Sequence, residues 1–281
     1  MGRLHDQLRE DLLLKAYSPH TLRAYLGCVR QFVRYYMRSP QDMGEQEVRG
    51  FLLHLVRDRK ASTATQDMYV NALKFLYTVT LKRSEVVKDI SHPKRPHTPP
   101  VILSPEEVLR IFEAIRSVKY KAIIATAYAA GLRVSEVCGL YITDIDSQRM
   151  RIRVRSGKGK KDRYVMLGES LLSLLRQYYQ AARPKGEYLF PGHKPQRHIT
   201  TTAVNKVLRQ VISETGLSKR VTMHTLRHCF ATHLLEAGID IRILQVLLGH
   251  SSIRTTLRYT HITDRLVQRL VSPLDMIQPV S

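Results

Sequence analysis

Between Lys82 and Pro100 the chain carries Pro93, Pro96, Pro99 and Pro100 among Lys88, His92, Lys94, Arg95 and His97. Proline fixes φ, lacks an amide donor and disfavours helix in the residue before it, so neither a helix nor a central strand can run through this stretch. A chain of 281 residues interrupted in this way folds as two bodies joined by an extended, positively charged connection. The expected division is 1–84 for a helical unit, 85–100 for the linker and 101–281 for a larger second unit. Such a linker serves either as an inert spacer or as the joint of a clamp that closes on a polyanion.

The first part reads as helices throughout. Ser18-Pro19 places a capping hydroxyl before a proline suited to the first helical turn, and Leu22, Tyr25, Leu26, Val29, Phe32, Val33 and Tyr36 follow at helical spacing as far as about Met37. Ser39-Pro40 breaks that pattern. A second helix is expected over Glu45 to Arg57, with Val48, Phe51, Leu52 and Leu55 on one side. Ser62 opens a third, whose stripe is Met68, Ala72, Leu73, Phe75 and Leu76. The stripes are core. Outward lie Arg23, Arg30, Arg34, Arg38, Arg57, Arg59, Lys60 and Lys74, a basic exterior.

In the second part Ser104-Pro105-Glu106-Glu107 has capping-box spacing and starts a helix. Lys119 to Ala130 is apolar on most sides, hence a buried helix, and Gly131 ends it. Arg133 follows at once, fixed between that helix and the next, which Ser135-Glu136 begins. Met150 to Arg155 and Arg163 to Leu167 alternate as two short strands, so Ser156-Gly157-Lys158-Gly159-Lys160-Lys161 is the turn of a β-hairpin. Its glycines let Lys158 approach a backbone or a phosphate closely. Helices near Glu169 to Ala182 and Thr201 to Glu214, with a loop from Pro184 to Pro195 between them, carry no chemistry of their own.

The formal charge of +21 comes from basic residues on both sides of the linker, in a chain that is 43% hydrophobic and so able to bury a core. Charge spread over folded sequence points to a polyanionic partner, most simply nucleic acid held by its phosphates. Cys28, Cys138 and Cys229 form no close pair, which excludes a disulfide framework and Cys-x-x-Cys zinc sites. All three lie in apolar helical sequence, as buried thiols do. No secretory signal and no apolar run of membrane-spanning length is found, so a reducing, cytoplasmic setting without a membrane is expected.

The stretch Val221 to Thr260 gathers the reactive side chains. His224 and Arg227 are three apart and share a helical face. Asp240 caps a further helix, with Ile241, Leu244, Val246 and Leu247 as its buried side, that stops at Gly249 and delivers His250. Ser251 or Ser252 starts a third, which carries Tyr259. His228 and His233 fall at intervals open to metal ligation, but no glutamate stands where a zinc-protease helix needs one, and both are read as structural.

His224-x-x-Arg227-His228, Ala231-Thr232-His233-Leu234-Leu235, Leu248-Gly249-His250 and Tyr259-Thr260-His261, in this order, resemble the tyrosine recombinase (phage integrase) family, above all its Xer-like members. Ala130-Gly131-Leu132-Arg133-Val134-Ser135-Glu136 is similar to the family's first arginine motif, and Ser18 with Thr21 and Tyr25 to its core-binding domain. The resemblance implies a mainly α protein. Its first unit is a SAM-like helical bundle, and its second a mixed α/β catalytic domain of the DNA breaking-rejoining type with a small antiparallel sheet.

The implied site is Arg133, Lys158, His224, Arg227, His250 and Tyr259. Two arginines clamp the non-bridging oxygens of a phosphodiester, Tyr259 attacks phosphorus, Lys158 protonates the leaving 5′-oxygen, His224 is a base or proton shuttle and His250 a further donor. Paired guanidiniums stand in for a divalent ion, so no cofactor or metal is expected. Arg23, Arg30, Lys74, Lys94, Arg95, Lys160 and Lys161 are candidates for contact with the DNA backbone. The implied partner is double-stranded DNA carrying a specific recombination site, bound by a homotetramer or paired heterotetramer on two sites. The amphipathic run of Ile262, Leu266, Val267, Leu270 and Val271 is expected to dock on a neighbouring subunit. Two rival readings stand beside it: a type IB topoisomerase, which shares much of this active site but relaxes supercoils as a monomer, and a catalytically silent DNA-binding protein that keeps only the fold.

Overall fold

The structure, a computed structural model, describes residues 2–94, 100–155, 162–250, 252–257 and 259. It divides into two compact units, Met1–Thr98 and Pro99–Ser281. Lys158, Lys160, Lys161, Arg95, His261 and the proposed docking segment 262–271 lie outside the described residues.

The first unit is all helical: α1 (Gly2–Leu14), α2 (Pro19–Tyr36), α3 (Glu45–Arg57) and α4 (Thr63–Phe75). Ser18 caps α2 by accepting from the Thr21 amide at 3.1 Å, with Pro19 in the first turn, and Ser62 caps α4 through Thr65. Phe32, Phe51 and Tyr69 bring three helices together edge to face, with centroids 5.2 and 5.6 Å apart. Two details depart from the sequence reading. Met68 is exposed, and Tyr69 and Val70 fill the α4 core face instead. The chain past 84 also still belongs to this core, because Val86, Val87 and Ile90 are buried in it. Arg23, Arg30, Arg34, Arg38, Arg57, Arg59, Lys60 and Lys94 are exposed, whereas Lys74 is partly covered.

The second unit is built around α6 (Val118–Ala129), whose Ala122, Ile123, Ile124 and Ala127 are fully buried, as its apolar circumference requires. Before it comes α5 (Pro105–Ala114), started by a Ser104–Glu107 capping box; after it comes the five-residue α7 (Val134–Cys138). A three-stranded antiparallel sheet follows, β1 (Ile145–Asp146), β2 (Arg151–Val154) and β3 (Arg163–Met166). Ile152 pairs with Val165, so Ile152, Val154 and Val165 face the core while Arg153 and Tyr164 face out. The chain continues through α8 (Glu169–Ala182), α9 (Thr201–Thr215), α10 (Met223–Glu236), α11 (Ile241–Leu248) and α12 (Ile253–Leu257). On α11 only Leu244 and Leu248 are fully buried; Val246, expected inside, is exposed. Among the described residues, no helix is long and apolar enough to cross a membrane. Cys28, Cys138 and Cys229 are buried free thiols.

Candidate active site

The centre of the second unit is a carboxylate ringed by guanidiniums. Arg133 is the N-cap of α7, and Glu136 reaches back to it: Oε2 accepts from the Arg133 amide and Oε1 from its Nη1, both at 2.8 Å. Arg163, from β3, donates from Nη1 and Nη2 to the two oxygens of Glu136 at 3.0 and 2.9 Å. Arg227, from α10, stands 3.8 Å away. Burial alone would push the Glu136 carboxyl up, but the Arg163 hydrogen bonds, the Arg133 amide and the two adjacent positive charges hold it down to about 2. Three cations against one anion leave the cluster short of negative charge, as an anion-binding site must be.

Arg227 is 1% exposed and held on three sides. Its Nη1 donates to Gly131 O at 2.5 Å, and its Nη2 to Leu248 O at 2.6 Å and to His250 Nε2 at 3.3 Å. A guanidinium cannot accept, so His250 carries its proton on Nδ1, which donates to Thr256 Oγ1 at 2.9 Å. Burial, then the neighbouring Arg133 charge, lowers Arg227 to about 10, which still leaves it cationic at neutral pH.

Two glycines make this convergence possible. Gly131 ends α6 at φ +61°, and a Cβ there would fall 2.4 Å from the Phe230 ring. Gly131→Ala is therefore expected to remove about 2 kcal/mol or more of stability and to shift the carbonyl that Arg227 uses. Urea unfolding curves that coincide with wild type would refute this. Gly249, also at φ +61°, closes α11 and turns the chain toward His250.

Tyr259 does not sit on α12 as the sequence suggests, but in a turn beyond it. Its ring is buried with Phe230, Ala231, Leu235, Leu244 and Leu248, and its hydroxyl is hydrogen-bonded to His228 Nδ1 at 2.9 Å. His228, read from sequence as structural, is thus the imidazole at the phenol. His224 is exposed, with its ring 4.2 Å from that of His228, while Arg227 is buried toward Gly131 and Leu248. The two residues that share a helical face in sequence thus differ in surroundings. His233 is a structural tie: Tyr128 donates its hydroxyl proton to Nδ1, and Nε2–H donates to Leu103 O. The sequence reading missed Glu136 and Arg163 as site residues, although Glu136 stands inside the first arginine motif.

Residues 102–265 match the phage integrase family, and residues 4–85 the phage integrase N-terminal SAM-like domain. A putative integrase/recombinase, y4qK, of Sinorhizobium fredii is 42% identical over 99% of this chain and 90% of its own length. Tyrosine recombinase XerA of Thermococcus kodakarensis is 37% identical over 97% and 95%. Among solved structures, the XerH site-specific recombinase in a post-cleavage complex with its palindromic difH substrate superposes with a TM-score of 0.72 and 26% identity, over 88% of this chain and 78% of that one. With a family match over both units, and the arginine, histidine and tyrosine motifs in family order, the chain belongs to the phage integrase family of tyrosine recombinases and is a site-specific recombinase that cleaves and rejoins DNA.

Proposed function

We propose that cleavage proceeds by attack of the Tyr259 hydroxyl on a phosphodiester whose non-bridging oxygens are held by Arg133 and Arg227. The phosphorus becomes bonded to the tyrosine, the 5′-oxygen leaves with a proton from Lys158, and the resulting 3′-phosphotyrosine keeps the bond energy for rejoining. His250 is the further donor at the same phosphate; to act so, its Nε2, which here accepts from Arg227, must carry a proton once the phosphate takes over the guanidinium. His224 acts as base or proton shuttle. In support, its ring lies against His228, which holds the Tyr259 hydroxyl, so the two imidazoles line a route by which the phenolic proton leaves. Arg23, Arg30, Lys74, Lys94, Arg95, Lys160 and Lys161 contribute backbone contacts, and the working assembly is four copies on two recombination sites.

The observation that carries this reading is the gathering of Arg133, Arg163 and Arg227 on the single carboxylate of Glu136. Because Tyr259 is covered in this structure, the reading also requires that DNA binding expose its hydroxyl. The test is a nicked suicide substrate whose cleaved end diffuses away, offered in the presence of EDTA. A protein–DNA adduct that survives denaturant and maps by peptide sequencing to Tyr259 is expected. An adduct that forms only with added magnesium, or that maps to another residue, would overturn the assignment.

A further inference from the structure

Arg163 takes no part in the chemistry assigned above, yet it ties Glu136 to the end of α11. All three of its guanidinium nitrogens donate inside the protein. Two go to Glu136, as described, and Nε goes to Leu247 O at 3.0 Å, in the last turn of α11. The side chain is only 10% exposed, against 31% for Arg133. It is therefore turned toward the protein rather than toward a ligand. Gly249 adds a second link: a Cβ there would lie 3.0 Å from Arg163 Cδ and Nε and 3.1 Å from Cζ. The glycine that delivers His250 is thus required by its φ and by the guanidinium packed against it.

We propose that Arg163 is a positioning residue for DNA cleavage, one fork that sets both phosphate-binding arginines. Through Glu136 it fixes Arg133. Through the end of α11 it fixes Leu248 O and His250, which hold Arg227. The inference rests on the reading that Arg133 and Arg227 bind the scissile phosphate.

The geometry also says what its loss does. Without Arg163, Glu136 keeps only the Arg133 amide and side chain, and the next cation within reach is Arg227 at 3.8 Å. The carboxylate then closes that gap and draws Arg227 off the Gly131 and Leu248 carbonyls. The anion site collapses inward while the fold stands. Lysine cannot replace the fork, because one ammonium cannot match two carboxylate oxygens and the Leu247 carbonyl together.

The experiment compares Arg163→Gln, Arg163→Lys and Arg227→Ala in the full chain on two suicide substrates. One carries a scissile phosphate; the other carries a methylphosphonate, which has no charge for the arginines to neutralise. Single-turnover adduct formation, DNA affinity and melting temperature are measured together. Arg163→Gln is expected to slow adduct formation on the phosphate about 100-fold, as a displaced catalytic group does. On the methylphosphonate the loss should stay within about 3-fold, because arginine placement matters little there. DNA affinity should hold within about 2-fold, with Arg163→Lys intermediate in rate. Equal slowing on both substrates would make Arg163 merely structural and sink the proposal, and so would no slowing at all. If Arg163→Gln does not fold, Arg163→Lys carries the same comparison. A phosphate rate that survives Arg227→Ala would instead defeat the underlying phosphate-binding reading. Loss in Arg227→Ala with an unaffected Arg163→Gln would defeat this inference alone.

Discussion

Tyr259→Phe is expected to bind the recombination site within about 2-fold of wild type and to form covalent adduct at least about ten-thousand-fold more slowly, the scale of loss when a catalytic nucleophile is removed. The separation of the two effects follows from where the ring sits. Phenylalanine fills the same space among Phe230, Leu235, Leu244 and Leu248, so the local packing has no reason to change. What disappears is one oxygen and its hydrogen bond to His228, a stability cost of about 1 kcal/mol. Gel-shift titration and denaturing-gel detection of the adduct, run on one preparation, check both halves. Persistent adduct would place the nucleophile elsewhere, and lost binding would mean that the ring matters to the DNA surface rather than to the chemistry.

The elements legible in the sequence were those with local punctuation. Ser18-Pro19, Ser62 and Ser104-Pro105 each announce a helix by chemistry confined to one turn, and each cap forms. α1 has no acidic residue in its first turn to punctuate it, and only its Leu4, Leu8 and Leu12 repeat marks it as a helix. Val246 was misplaced because hydrophobicity tells which residues prefer a cover, not how many sides of a short helix receive one. The site divides in the same way. Arg133 and Arg227 stand in motifs that can be read along the chain, but their shared anion-binding role depends on a carboxylate. Glu136 gains its meaning from Arg163, 27 residues on, and from Arg227, still farther along. His228 and His233 look alike on α10, five residues apart. Only the folded chain puts Tyr259 on the first and the Tyr128 and Leu103 oxygens on the second.

Glu136→Gln should be the most damaging change that leaves every family motif residue other than itself in place. A carboxylate at 9% exposure has little solvent to screen it, and removing its charge strands Arg133, Arg163 and Arg227 close together. Breaking a buried pair on one side costs about 3–5 kcal/mol. The depressed pKa gives a consistent figure. With an ordinary value of 4.5 and a folded value of about 2, ionised Glu136 contributes about 3 kcal/mol at neutral pH. The sign fixes the pH window. Because folding lowers this pKa, the contribution is complete above about 4.5 and is lost as pH falls through about 2. Wild type should therefore lose stability between those limits more steeply than Glu136→Gln, with the gap between the two wide at pH 7 and narrowing in acid. The same substitution should slow adduct formation about 100-fold, since the amide cannot hold two guanidinium forks as the carboxylate does. Chemical denaturation across that range, with adduct kinetics at neutral pH, decides the matter: stability curves that run parallel would show that the guanidiniums do not depend on an ionised carboxylate at their centre.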